Sequence, residues 1–147
     1  MKNPIDLEIK AKGDLKHHIV EDVGLSLGDV ISKALGKRDG ITRFGHAVVP
    51  MDDSLVSVSV DLVKRPYAKI NLEIEHDTVE DIIKEDIQHF LQSFTQSLEA
   101  TVHINVEYGG DDHHNVEAAF KGLALSLRQA IKLDIQRKTS PSAKGVM

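Results

Sequence analysis

The stretch His113-His114-Asn115-Val116-Glu117 decides how this chain is read, because a second copy of its pattern, His17-His18-Ile19-Val20-Glu21, stands near the other end. On an α-helix, adjacent side chains point about 100° apart, whereas residues four apart share a face. His113 and Glu117 can therefore grip one ion, and His114 must face another direction. Each motif supplies donors to two sites. Imidazole nitrogen and carboxylate oxygen together suit manganese, zinc or iron, and the chain has no Cys whose thiolate would tip the choice.

The repeat extends past the motif. At the offset of 96 that relates His17 to His113, Val20 matches Val116, Leu27 matches Leu123 and Ala34 matches Ala130, all on the expected buried side of a helix. Upstream the offset is 97: Ile5, Leu7 and Ile9 meet Val102, Ile104 and Val106, and Gly13-Asp14 meets Gly110-Asp111. Both copies, around residues 5–36 and 102–132, read as strand, glycine turn and metal-bearing helix. At 147 residues the chain has the length of a single domain with one core.

A formal net charge of -5 and the lack of a dense Lys/Arg run exclude a phosphate-backbone footprint, so no nucleic acid is expected as a partner. No run of eighteen apolar residues and no leader pattern stands in the sequence, so no membrane is expected and the cytoplasm is the expected location. Of eight histidines, five fall in or beside the two repeats. His46, His76 and His89 lack such a context and read as structural or surface residues.

Along the chain, residues 5–11 alternate as a half-buried strand, and residues 20–35 place Val20, Val23, Leu27, Ile31 and Ala34 on one helical face closed by Gly36. Residues 41–49 read as a strand ended by Pro50. Residues 56–62 and 68–74 alternate as two further strands, expected as an antiparallel pair across Lys64-Arg65-Pro66-Tyr67. A helix is expected over 78–98, with Ile83, Ile87, Phe90, Leu91, Phe94 and Leu98 inside. A strand follows over 102–108, then a helix over 115–132 with Val116, Phe120, Leu123 and Leu127 inside. Composition alone reads the tail, residues 137–147, as a frayed terminus.

His103 sits mid-strand just ahead of the second motif and is a further candidate ligand. Arg43, Arg65 and Lys121 occupy positions where a held side chain can grip a phosphate. No Gly-rich phosphate loop and no G-x-S-x-G elbow occurs, which argues against a nucleotide cofactor and a covalent hydrolase.

His17-His18-Ile19-Val20-Glu21-Asp22, Arg43-Phe44-Gly45, Val49-Pro50-Met51-Asp52, Arg65-Pro66-Tyr67, His113-His114-Asn115-Val116-Glu117-Ala118 with Phe120-Lys121, and Pro141-Ser142-Ala143-Lys144-Gly145 together resemble the imidazoleglycerol-phosphate dehydratase family, in the family's order. The resemblance implies an α+β fold, a duplicated half-fold of antiparallel sheet packed with helices, ribosomal-S5-domain-2-like. It implies manganese-dependent dehydration of imidazoleglycerol phosphate to imidazoleacetol phosphate in histidine biosynthesis, by a homo-oligomer of 24 subunits.

By that resemblance His17, His18, Glu21, His103, His113, His114 and Glu117 are metal ligands, divided over two Mn2+ ions and drawn from neighbouring subunits. Arg43, Arg65, Lys121, Ser142 and Lys144 then hold the substrate phosphate, and Glu21 is the leading acid-base residue. Family members ordinarily begin with further strands and a helix carrying a Phe-Asp-His-Met-Leu-like segment, and acidic residues ordinarily precede the first histidine pair where this chain has Leu15-Lys16. The expectation is an N-terminally short member or a fragment, and whether both metal sites are complete at this length is left open. A non-catalytic metal-binding assembly protein is the alternative. It has no use for Arg43, Arg65, Lys121 and Lys144 together.

Overall fold

Alternating valines bury one face of the central strand: Val56, Val58 and Val60 are 0%, 1% and 3% exposed, while the residues between them face outward. The computed structural model describes residues 7–134. In chain order these form helix α1 (Lys16–Leu35), strands β1 (Phe44–Met51), β2 (Ser54–Asp61) and β3 (Tyr67–Asn71), and two-residue strands β4 (Thr78–Val79) and β5 (Ile82–Ile83). Helix α2 (Lys84–Leu98), strand β6 (Thr101–Tyr108) and helix α3 (Asp112–Ala130) complete an α+β fold.

The four long strands form one sheet in the order β1-β2-β6-β3, antiparallel except for the β3/β6 pair. Among the described residues the helices pack on the valine face of the sheet: α3 lies across β1 and β2, where Gly122 meets Val58, and α2 lies against β3. Helix α1 rests on α2. The other sheet face carries His46 and Val48 of β1, Ser57 and Ser59 of β2, His103 and Asn105 of β6, and Lys69 of β3, placed together by the strand register.

Helix α3 meets the sheet through small residues. Ala118, Ala119, Gly122, Ser126 and Ala130 are its buried positions, with Asn115 and Leu123. A Cβ at Gly45 in β1 would stand 1.9 Å from the Ser126 carbonyl oxygen, so the two backbones touch. The residues expected inside this helix, Val116, Phe120 and Leu127, are only half-buried and pack at the margin of the core.

The structure corrects several expectations. No strand forms over residues 7–11, where Leu7 and Ile9 are 57% and 52% exposed. Alternation alone makes no strand without a ladder partner, and the edges of the sheet are β1 and β3. Ile5 lies outside the described residues. Pro50 does not end β1 but sits within it, which an edge strand tolerates because no ladder N–H is needed there.

Strands β2 and β3 are not a hairpin pair. Strand β6 lies between them, and β3 reaches it in parallel through α2, as a β-α-β crossover. The helix expected from residue 78 begins at Lys84, because the β-branched residues Thr78, Val79, Ile82 and Ile83 pair as a small hairpin with Glu80 in the left-handed region at φ 54. Ile83 is therefore outside the helix and 50% exposed.

In α1 the buried positions are Gly24 and Gly28, not the expected apolar stripe. A Cβ at Gly28 would stand 2.5 Å from the Phe94 carbonyl oxygen, so only glycine lets α1 press on α2. Leu27 and Ile31 are half-buried and Ala34 is exposed, and together they line an apolar groove of about 510 Å³ with Phe90, Phe120 and Leu127.

Candidate functional site

The second histidine pair opens α3, and Asp111 holds it there. The Asp111 carboxylate caps the helix, its Oδ1 accepting from the backbone N–H of His113 at 2.8 Å and of His114 at 3.1 Å. The next residue, Asp112, ties the helix start to the chain after β3. Its carboxylate accepts from the backbone N–H of Glu75 and His76 at 3.0 and 2.9 Å and meets the His76 Nδ1 at 2.7 Å.

From this start the two imidazoles diverge, with ring planes 75° apart and centroids 6.0 Å apart. His113 lies along the helix, its Nε2 3.2 Å from Glu117 Oε2 and its Nδ1 3.3 Å from Glu80 Oε1. Glu117 in turn receives Lys121 Nζ at 2.7 Å, and this cation, ahead of His113, holds the Glu117 carboxyl below its ordinary value. His113, Glu117 and Lys121 thus form one row at helical spacing. The Lys121 ammonium also reaches Met51 Sδ at 3.5 Å.

His114 faces the β1–β2 turn. Its Nδ1 is 2.7 Å from Asp53 Oδ1 and its Nε2 3.3 Å from Asp52 Oδ2. The bond to Asp53 raises the imidazole above its ordinary value, and the same bond lowers the Asp53 carboxyl. The turn is anchored beside it, since Ser54 Oγ donates to the buried Asn115 Oδ1 at 2.7 Å. Asp52, Asp53 and Glu80 are site neighbours that the sequence reading missed. They stand far away in the chain, and no local period links them to the helix.

The first motif opens α1 differently. Leu15 is the N-cap and makes no side-chain cap bond. Asp14 accepts from the Leu15 N–H at 2.9 Å and lies 3.3 Å from His18 Nδ1, an interaction that lowers the Asp14 carboxyl. His17 and His18 stand edge to face, with centroids 4.2 Å apart. His18 and Glu21 line a cavity of about 510 Å³ between α1 and the preceding segment.

The remaining candidates lie apart. His103 is on the open sheet face, 5.6 Å from the Tyr67 ring. Arg43 is at the far end of the sheet from the α3 start, where Nε and Nη2 donate to Asp61 at 2.7 and 3.0 Å and its N–H donates to Ala130 at the end of α3. Arg65 is exposed at the same end, its carbonyl accepting from Thr101 Oγ1 at 3.0 Å. Ser142 and Lys144 lie outside the described residues. Among the described residues, no three His, Asp or Glu converge into a metal cluster within the chain. The donor chemistry of the His113-Glu117 pair fits a divalent ion, as two of the ligands such an ion takes.

No helix among the described residues is long and apolar enough to cross a membrane. Residues 2–127 match the family model described as imidazoleglycerol-phosphate dehydratase. The chain is 44% identical over 144 residues to the imidazoleglycerol-phosphate dehydratase of Methanothermobacter thermautotrophicus, covering 96% of this chain and 73% of that protein. To that of Syntrophobacter fumaroxidans it is 43% identical over 145 residues, covering 97% and 74%.

Among solved structures, the dehydratase from Pyrococcus furiosus superposes with a TM-score of 0.81 at 41% identity, over 92% of this chain and 74% of that one. The dehydratase from Staphylococcus aureus does so with 0.80 at 31% identity, over 84% and 72%. The motifs, the fold and these likenesses converge: the chain belongs to the imidazoleglycerol-phosphate dehydratase family, the hydro-lyases of histidine biosynthesis.

Proposed function

We propose that the chain catalyses the manganese-dependent dehydration of imidazoleglycerol phosphate to imidazoleacetol phosphate, in the cytoplasm and as an assembly of 24 copies. The observation that supports this most is how the candidate ligands are divided. His17, His18 and Glu21 stand on α1, His103 on the open sheet face, and His113, His114 and Glu117 on α3, with no complete cluster in the described part of one chain. Partial donor sets on separate faces suit sites completed between copies.

Two Mn2+ ions per active site are assigned to these seven residues. A bound manganese supplies Lewis-acid polarisation of the substrate's imidazole ring. The protein's residues do the rest. Arg43, Arg65, Lys121, Ser142 and Lys144 hold the phosphate and set the carbon chain in place. Glu21 is the proton-transfer residue. A proton leaves the carbon next to the one attached to the ring, the ring-attached carbon loses its hydroxyl as water, and the resulting enol tautomerises to the ketone on the carbon that lost the proton.

The test is manganese stoichiometry on chelator-stripped, reconstituted protein, measured together with the particle mass and the dehydratase rate. Two ions per chain in a large particle with turnover is the expected result. A monomer that binds no manganese, or a loaded particle without turnover, overturns the proposal. Glu21→Gln should abolish turnover while substrate binding persists; loss of manganese in that variant would reassign Glu21 as a ligand only.

A further inference from the structure

We propose that Asp53 is a positioning residue for His114: its carboxylate fixes the imidazole as the Nδ1–H tautomer and thereby presents Nε2 as the donor atom. This rests on the reading of His114 as a metal ligand.

The carboxylate is held from both sides. Asp53 Oδ1 accepts from His114 Nδ1 at 2.7 Å, while Oδ2 accepts from the Gly110 backbone N–H at 2.9 Å. One side chain of the β1–β2 turn therefore clasps the glycine turn and the helix start together. The turn itself is seated by the next residue, because Ser54 is 2% exposed and donates to Asn115, which is 1% exposed. The approach is so close that a Cβ at Gly109 would stand 1.9 Å from Asn115 Oδ1 and 2.4 Å from Ser54 Oγ. Asp53 thus stands on a platform fixed by backbone and buried groups.

Which ring nitrogen carries the proton is set by the hydrogen bond that the other side of the ring makes. A carboxylate on Nδ1 draws the proton there and leaves the Nε2 lone pair bare, which is the usual arrangement for a metal-bound imidazole. Two of the other motif histidines have looser versions of this contact. His18 lies 3.3 Å from Asp14 Oδ1, and His113 lies 3.3 Å from Glu80 Oε1. Asp52 Oδ2 stands 3.3 Å from His114 Nε2, on the side the proposal assigns to the ligand.

The experiment uses the full chain, metal-free and 15N-labelled, with ring nitrogen spectra recorded where the imidazoles are neutral and the His114 signals assigned by their loss in His114→Gln. Wild type should show a protonated Nδ1 and a bare Nε2 at His114. Asp53→Ala should move the proton to Nε2, with the amide spectrum unchanged beyond the turn, and should weaken binding of manganese alone by about 10–100-fold. A wild-type His114 protonated on Nε2 overturns the proposal without any variant, and so does an Asp53→Ala chain with an unchanged tautomer. Wild-type protein that binds no manganese sinks the metal reading instead, while the tautomer result still decides the role of Asp53.

Discussion

Arg43 and Asp61 form a two-pronged ion pair across the edge of the sheet, with Nε 2.7 Å from Oδ1 and Nη2 3.0 Å from Oδ2. The pair is mostly shielded, the two side chains being 12% and 21% exposed, and it raises the guanidinium above its ordinary value. Arg43 itself is in the left-handed region at φ 75, held by its N–H on Ala130 and its carbonyl on the Leu62 N–H. Asp61→Asn leaves a shielded cation with a weaker acceptor. The expected cost is about 1–3 kcal/mol, read as a lower midpoint of thermal unfolding. An unchanged midpoint would show the pair to be dispensable.

Gly45→Ala tests the contact of β1 with α3. The new Cβ would fall 1.9 Å from the Ser126 carbonyl oxygen and 3.0 Å from the Ala130 nitrogen, and both are backbone atoms that cannot rotate away. Helix α3 has to lift off the strand, at a cost of about 3 kcal/mol. Urea unfolding measures it, and a loss below about 1 kcal/mol would mean that the helix shifts freely.

Leu15→Asp should stabilise the chain. Leu15 caps α1 without any side-chain bond and is 48% exposed, whereas Asp111 caps α3 with two N–H groups. Giving α1 the same cap is expected to add about 1 kcal/mol in chemical denaturation. No gain would show that the start of α1 is already satisfied in another way.

The His76-Asp112 pair carries a pH signature. Its bond to Asp112 raises the His76 imidazole above its ordinary value, so the pair's contribution is full below the unfolded imidazole value of about 6.5 and fades as pH rises through the folded value. For Asp112, burial pushes the carboxyl up, but the N–H groups of Glu75 and His76 and the His76 ring outweigh it, and the net direction is down. That contribution is present above the unfolded carboxyl value of about 3.9 and is lost as pH falls through the folded one. The stability difference between wild type and His76→Gln should therefore be greatest between those two limits. A difference independent of pH from acid to alkali would refute the assignment.

Much of the fold was legible wherever burial imposes a period. The valines of β2 and the alternation of Val102, Ile104 and Val106 in β6 mark strands covered on one side, and the spacing of Ile87, Leu91, Phe94 and Leu98 marks the core face of α2. Pairing was not legible. The turn-like Lys64-Arg65-Pro66 segment suggested a hairpin, yet β3 lies beyond β6 because the α2 crossover carries the chain back in parallel. The buried face of α1 was hidden for another reason. Close backbone contact selects glycine at positions 24 and 28, and a search for large apolar residues passes over it.

By itself the sequence determined what rests on local geometry: the helices, the strands under a covered face, and the shared direction of His113 and Glu117, four residues apart on one helix. Only the tertiary structure decided what surrounds those groups. Asp53 reaches His114 from 61 residues away and Asp112 reaches His76 from 36 away. Such contacts depend on how turns dock after the sheet has formed, and no period in the chain encodes the distance between two turns.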